Sequence, residues 1–354
     1  MPAADLTATL QQQIRDAYAA ITPLNIVGGS SKAFYGRQPS GSVLDVSGHS
    51  GILSYEPTEL VITARAGTPL AEIEAALADK GQMLPFEPPH WGDTATLGGT
   101  IACNLSGPRR PYAGSARDFV LGCHVLNGKG ELLHFGGEVM KNVAGYDAAR
   151  LMVGALGTLG VLLDISLKVL PVPQQELTLV QPCSLTEALS RMNLLAGRPL
   201  PLSATAWVDG HLYLRFSGAA SAVTAVGTRE PGEVLAGGEV FWQHLRELEL
   251  PFFDCTQALW RIALPQAAVQ PDLPGEWLIE WGGAQRWLYS DAAVADVRAQ
   301  VASLGGHATL MRGGDRAGAV FQPLPAGLWQ LHQRLKQAFD PAGIFNLGRM
   351  YEGL

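Results

Sequence analysis

The segment from Leu97 to Asp147, LGGTIACNLSGPRRPYAGSARDFVLGCHVLNGKGELLHFGGEVMKNVAGYD, constrains the fold of this chain more than any other. It places the pair Gly98-Gly99 before a run of small residues. A Gly-Pro-Arg-Arg turn follows, then Arg117-Asp118 opening an apolar strand, and a Gly-Lys-Gly hairpin turn. Glycines without a Cβ let backbone N–H groups come close to a large bound group. An earlier loop, Gly28-Gly29-Ser30-Ser31-Lys32, follows an apolar strand and can aim successive N–H groups and two hydroxyls at a pyrophosphate. It is not a Walker loop, because Ser31 precedes Lys32 and Ala33 follows it. Gly154, Gly157 and Gly160 are likewise spaced by three and do not make a G-x-G-x-x-G dinucleotide pattern. Taken alone, the first loop reads as a plain strand-turn-helix connection. Two separated glycine regions favour one long ligand that needs both phosphate and ring contacts.

With 354 residues the chain can hold two domains, each with its own core. A net charge of -7 argues against sequence-independent nucleic-acid binding, which needs excess Lys and Arg. No apolar run approaches the roughly 20 residues that span a bilayer, and no signal pattern opens the chain, so a cytoplasmic protein is expected. The periodicity predicts a helix over 5–20 on Leu6, Leu10, Ile14, Ala17 and Tyr18 and strands at 24–27, 42–45 and 59–66. Thr68 as N-cap and Pro69 at the first position open a second helix on Leu70, Ile73 and Leu77, which Gly81 ends. From Gly99 to Leu170 apolar strands alternate with glycine-rich turns, with one helix over 146–153. Leu170-Pro171-Val172-Pro173 reads as a linker. Beyond it, a Ser184/Glu187 capping box, an Asp209-Gly210 hairpin and a helix over 291–304 suggest an antiparallel sheet with helices on one face. A last helix covers 325–339.

NIVGGSSKAFYG, the Leu97–Asp147 segment and DPAGIFNLGRMY together resemble the FAD-binding domain of the vanillyl-alcohol-oxidase and p-cresol-methylhydroxylase (PCMH) flavoproteins, over essentially the whole chain. The resemblance implies an α+β fold: a PCMH-type FAD-binding domain in two subdomains over 1–172, an α+β cap with an antiparallel sheet over 173–312, and a segment over 313–354 returning to the first domain. It implies non-covalent FAD held by Gly28, Gly29, Ser30, Ser31, Lys32, Leu97, Gly98, Gly99, Ala102, Asn104, Gly114, Asp118, Gly157, Gly160, Val161 and Asn346. Adenine contacts are expected from Gly157, Gly160 and Val161. Asn346, in an F-N-L-G-R tail where Leu347 replaces the family's proline, is expected at the flavin, and Asn104 at the ring edge or simply in a turn. Arg109 and Arg110 can meet a phosphate or a partner's carboxylate, or be solvated.

Oxidation of a 2-hydroxy acid needs a base for the hydroxyl and a cation for the carboxylate. The histidine-rich metal motif of free-standing relatives is missing; Gly305-Gly306-His307-Ala308-Thr309-Leu310-Met311-Arg312 keeps one His and one Arg. His307, Arg312 and His90 are the candidates, with a structural role as the alternative for each histidine. Cys103, Cys123, Cys183 and Cys255 lack metal or cluster spacing, so no metal site is expected. Some relatives tether the flavin through Cys; Cys103, in an expected small-residue strand, reads instead as a packed hydrophobe. Without cluster ligands, the resemblance implies one flavin subunit of a 2-hydroxy-acid (glycolate) dehydrogenase complex. Its partners would be a second FAD-binding subunit and an iron-sulfur subunit, with any membrane contact made through them. A self-contained oxidase of a sugar or hydroxy acid, and a non-catalytic scaffold, are the alternatives. The aromatic-rich hairpin from Trp277 to Trp287 offers either a partner interface or core filling.

Overall fold

The computed structural model describes residues 4–137 and 147–354. The chain forms two compact units. The first comprises 1–105, 115–171 and 317–354; the second comprises 106–114 and 172–316.

The centre of the first unit is a five-stranded sheet in the order Ile52–Glu56, Val61–Arg65, Val161–Lys168, Val120–Leu126, Leu132–Gly136, with every neighbour antiparallel. Val161–Lys168 lies in the middle, and Val161, Leu163, Ile165 and Leu167 are all buried. A separate parallel pair, Leu24–Val27 with Ser42–Asp45, carries the first glycine loop at its end. The helix Thr7–Ala20 buries Leu10, Ile14 and Ala17, one stripe at helical spacing. Leu70–Ala78 buries Leu70, Ile73 and Leu77 completely. Its start differs from the expectation, since Pro69 is the cap residue and Thr68 turns away. The Thr68 hydroxyl instead accepts from Gly51 N at 2.9 Å, tying the helix entry to the residue that leads into the strand Ile52–Glu56.

Residues 97–103 form a helix, correcting the expected strand around Cys103. Thr96 caps it, with Oγ1 accepting from Gly99 N at 3.3 Å, and Asn104 ends it in the left-handed conformation at φ 51°. Two glycines give this helix poor intrinsic propensity. Its position is set by packing, because Gly98 N donates to Ala66 O at 2.7 Å and Leu97 N to Thr68 O at 3.0 Å. The helix expected over 146–153 is seen as Ala149–Met152, and its expected start at Tyr146 falls outside the described residues.

The second unit is built on an eight-stranded antiparallel sheet. The capping box at Ser184 forms as expected and opens Leu185–Ala196. The Asp209-Gly210 turn has φ of 50° and 72°, the two positive values a tight hairpin turn requires. The helix expected over 291–304 runs from Val294 to Ser303. The aromatic hairpin belongs to the core and not to a free surface: Trp281 and Trp287 are buried, Arg286 is 0% exposed, and Trp277 packs on the cluster around Leu212 and Ile279. The short segment 106–114 is held within this unit. Arg109 pairs with Glu176 at 2.8 Å, Trp281 Nε1 donates to Gly107 O at 3.1 Å, and the Arg110 guanidinium lies over the Trp281 ring. Arg109 is therefore neither solvated nor directed at a phosphate.

Candidate functional site: a glycine-lined cavity in the first unit

The first unit contains a partly open cavity of about 420 Å³, within the range of small-molecule and cofactor sites. One wall is the loop Gly28–Lys32 with Asn25, Ile26 and Val27 before it. The loop folds tightly on the segment before the Leu97–Cys103 helix: an added Cβ at Gly29 would lie 1.4 Å from Thr94 O, and the Thr94 hydroxyl donates to Gly29 O. Ser30 is left-handed at φ 59°. Among the described residues, the N–H groups of Gly28, Gly29, Ser30 and Ser31 have no protein acceptor. Successive unfilled donors on a cavity wall are what an anionic phosphate requires. Lys32 is buried, its Nζ donating to His90 O at 3.0 Å and Ser31 Oγ at 3.3 Å.

A second wall is the Leu97–Cys103 helix, which presents Gly98, Gly99, Ala102 and Cys103. The Cys103 thiol is fully buried, and burial raises its pKa, so it stays protonated at neutral pH. The third wall is 155–162 with Asn346 and Arg349. Asn346 works as a latch. Its Oδ1 accepts from Ile26 N at 2.7 Å and its Nδ2 donates to Leu156 O at 2.7 Å, so both ends of the amide are committed to protein. Beneath it, Lys336 Nζ reaches Asp340 Oδ2 at 2.8 Å, Thr158 O at 2.9 Å and Phe345 O at 2.7 Å. Asp340 in turn accepts from Ile344 N and Phe345 N. Burial lowers the Lys336 pKa, partly countered by Asp340. Arg349 Nη2 donates to Lys32 O, joining the tail to the first loop, and burial lowers its pKa too.

Of the expected cofactor residues, Gly28, Gly29, Ser30, Ser31, Lys32, Gly98, Gly99, Ala102, Gly157, Gly160, Val161 and Asn346 line this one cavity. Leu97 is buried beside it, and Asn104 caps the helix with a buried Oδ1 that has no partner among the described residues. Asp118 is spent on a local capping box, accepting from Ser115 N and Oγ at 2.8 Å, and Gly114 belongs to the second unit. None of these four lines the cavity. Nor do the three catalytic candidates. His90 Nε2 meets Glu74 Oε2 at 2.9 Å, while His307 and Arg312 open and close an edge strand of the second unit. Sequence reading missed Thr96, Arg349 and the Lys336–Asp340 pair; only the i,i+4 spacing of that pair before the F-N-L-G tail offered a signal.

The residues present fit FAD. The unfilled N–H donors suit a diphosphate, and the glycine face of the Leu97–Cys103 helix leaves room for a flat ring against backbone. Comparison with known proteins agrees. Residues 3–136 match the model of a FAD binding domain, FAD_binding_4. The glycolate oxidase subunit GlcE of Escherichia coli (strain K12) is 53% identical over 350 residues, 99% of either chain. The glycolate oxidase subunit GlcD of Bacillus subtilis (strain 168) is 33% identical over 156 residues, 44% of this chain and 32% of its own. The D-lactate dehydrogenase of Anaerostipes hadrus is 32% identical over 143 residues, 40% and 30% of the two chains. Among solved structures, alkyldihydroxyacetonephosphate synthase matches with a TM-score of 0.65 over 95% of this chain and 73% of that one, at 14% identity, a likeness of fold. No helix among the described residues is long and apolar enough to cross a membrane. A flavoprotein fold with an antiparallel second sheet, a glycine-lined cavity and near-complete alignment lead to one conclusion: the chain belongs to the family of the glycolate oxidase subunit GlcE.

Proposed function

We propose that this chain is the FAD-binding subunit of a glycolate oxidase complex that converts a short 2-hydroxy acid to its 2-oxo acid. The observation that carries the reading is the alignment with a glycolate oxidase subunit over 99% of the chain, joined to a cavity whose walls suit FAD. Bound FAD would supply a two-electron acceptor. The first unit would be the FAD-binding domain and the second the cap. Gly28, Gly29, Ser30 and Ser31 would hold the diphosphate through backbone N–H groups, Gly98 and Gly99 would give the ring a flat backing, and the Asn346 latch would keep the far wall in place. The cofactor would be non-covalent, since the thiol lining the cavity, Cys103, is kept protonated by burial. A second FAD-binding subunit and an iron-sulfur subunit would complete the electron route, and any membrane attachment would pass through them.

Two measurements test this. Acid precipitation of the purified chain should release one FAD per chain into the supernatant; a yellow pellet contradicts non-covalent binding, and no flavin at all contradicts the cofactor. Glycolate-dependent dye reduction should be negligible for the chain alone and appear on co-expression with the two partners. Equal rates for the chain alone and the complex would mean that it works by itself.

A further inference from the structure

We propose that Arg261, His307 and Thr309, on one face of the second unit's sheet, form a binding site for the carboxylate and hydroxyl of a short 2-hydroxycarboxylate anion. The choice of anion rests on the function proposed above; the site itself rests on register and hydrogen bonding. In the antiparallel pairing of Leu259–Ala263 with His307–Arg312, Arg261 faces Thr309 and Ala263 faces His307. On the other side Arg261 faces Trp287 and Ala263 faces Gln285. Side chains alternate along a strand, so Arg261, Ala263, His307, Thr309, Gln285 and Trp287 share a face, on which Thr309, Gln285 and Trp287 are buried, Arg261 is half-buried and His307 is exposed, while Ile262, Ala308 and Leu310 turn to the opposite, buried face. Ala263, the smallest of them, places only a methyl group beside His307. Diagonal neighbours on a sheet lie roughly 7–8 Å apart, a span that one small anion can bridge.

Arg261 is fixed in place before any ligand arrives. Its Nε donates to Gln285 Oε1 at 2.5 Å, and its guanidinium lies over the Trp281 ring, 5.3 Å from the centroid. The Gln285 amide cannot turn over, because its Nε2 donates to the buried Glu280 carboxylate, which also accepts from Trp287 Nε1 at 2.6 Å. A guanidinium nitrogen only donates, so the amide oxygen must face Arg261. What remains of Arg261 is a pair of terminal nitrogens with no acceptor among the described residues. That is the edge of a guanidinium that grips a carboxylate in two parallel hydrogen bonds. The His307 ring likewise has no hydrogen-bond partner among the described residues, and partial burial and the Arg261 charge both lower its pKa. A neutral imidazole keeps one nitrogen able to accept from a hydroxyl. Arg312, the arginine favoured from the sequence, lies instead beside the Tyr289 hydroxyl.

The test is calorimetric titration of the full chain, carrying its FAD, with glycolate, oxalate, acetate and the uncharged analogue glycolamide. Glycolate and oxalate should bind and glycolamide should bind far more weakly. Arg261→Gln should weaken oxalate by about tenfold to a hundredfold. Arg261→Lys keeps the charge but not the two-pronged geometry and should fall between, which preserves the test if the Gln variant does not fold. His307→Gln should erase the preference for glycolate over acetate, and Arg312→Gln should change nothing. Wild-type protein that binds neither anion, or Arg261 variants that bind oxalate as wild type does, would overturn the site. FAD absorbance of the same samples keeps the two readings apart. Arg261-dependent binding without flavin removes only the cofactor assignment, and full flavin with Arg261-independent binding removes only this site.

Discussion

Gly98→Ala and Gly99→Ala lie one residue apart on the same helix and should fail in opposite ways. A Cβ added at Gly98 would sit 2.7 Å from Ala66 Cβ and 3.0 Å from Ala66 O. That neighbour cannot retreat, because Gly98 N is bonded to the same carbonyl at 2.7 Å. The substitution should therefore cost the fold about 1–3 kcal/mol, the usual range for overpacking. At Gly99 the nearest atom is Thr96 Oγ1 at 3.2 Å, and the residue lines the cavity. Alanine is favoured over glycine within a helix by roughly 0.5–1 kcal/mol, so the flavin-free protein should melt where wild type does or slightly higher. The methyl group instead takes space from the ligand. A similar overpacking cost, now charged to binding, weakens FAD by about 5- to 150-fold, and Gly99→Val should exceed it. Urea unfolding of flavin-free protein and FAD titration by fluorescence quenching separate the two effects. The reasoning is refuted if Gly99→Ala binds FAD as wild type does, or if its flavin-free form is destabilised as much as that of Gly98→Ala.

Lys336→Met should leave the Asp340 carboxylate buried without its cation, costing about 3–5 kcal/mol by urea unfolding. Adding Asp340→Asn should recover part of that loss, and no recovery would argue against a charge effect. The Asp5 carboxyl is lowered from 3.8 to about 2, chiefly by its hydrogen bonds with Thr7 and secondarily by Arg65. A folded pKa below the unfolded one stabilises above about pH 4, and that contribution fades as the pH falls toward 2. Asp5→Asn should flatten this part of the acid-unfolding curve and remove the same contribution at pH 7, a small one because the side chain is 58% exposed; an acid limb identical to wild type would count against it.

The features legible in the sequence are those set by local rules. The Ser184 capping box, the Asp209-Gly210 turn and the Leu70–Ala78 stripe each follow from a few adjacent residues, and all three form. The first glycine loop and the Leu97–Cys103 segment were also legible as walls of one site. The helical state of 97–103 was not, because its glycines disfavour a helix and the contacts to Ala66 and Thr68 that hold it come from distant chain. Asn346 was visible as a site residue, but its role as a latch depends on Ile26 and Leu156, far away in sequence. The tryptophan hairpin reads alike as surface or core until its neighbours are known. Arg261 gave no signal, since its place beside His307, Thr309 and Gln285 follows from a sheet register that no local pattern encodes.

The first unit draws on three stretches of chain, and the last of them carries Asn346 and Arg349 of the cavity wall. Those residues are made after the whole second unit. A chain grown only to the end of the second unit thus has both glycine walls and the 155–162 part of the third, but neither Asn346 to latch it nor Arg349 to join it to the first loop. Loss of even the last dozen residues would leave the second unit whole and take Asn346 and Arg349 out of the cavity wall, so a short tail governs the closing of a site that the rest of the chain has already built.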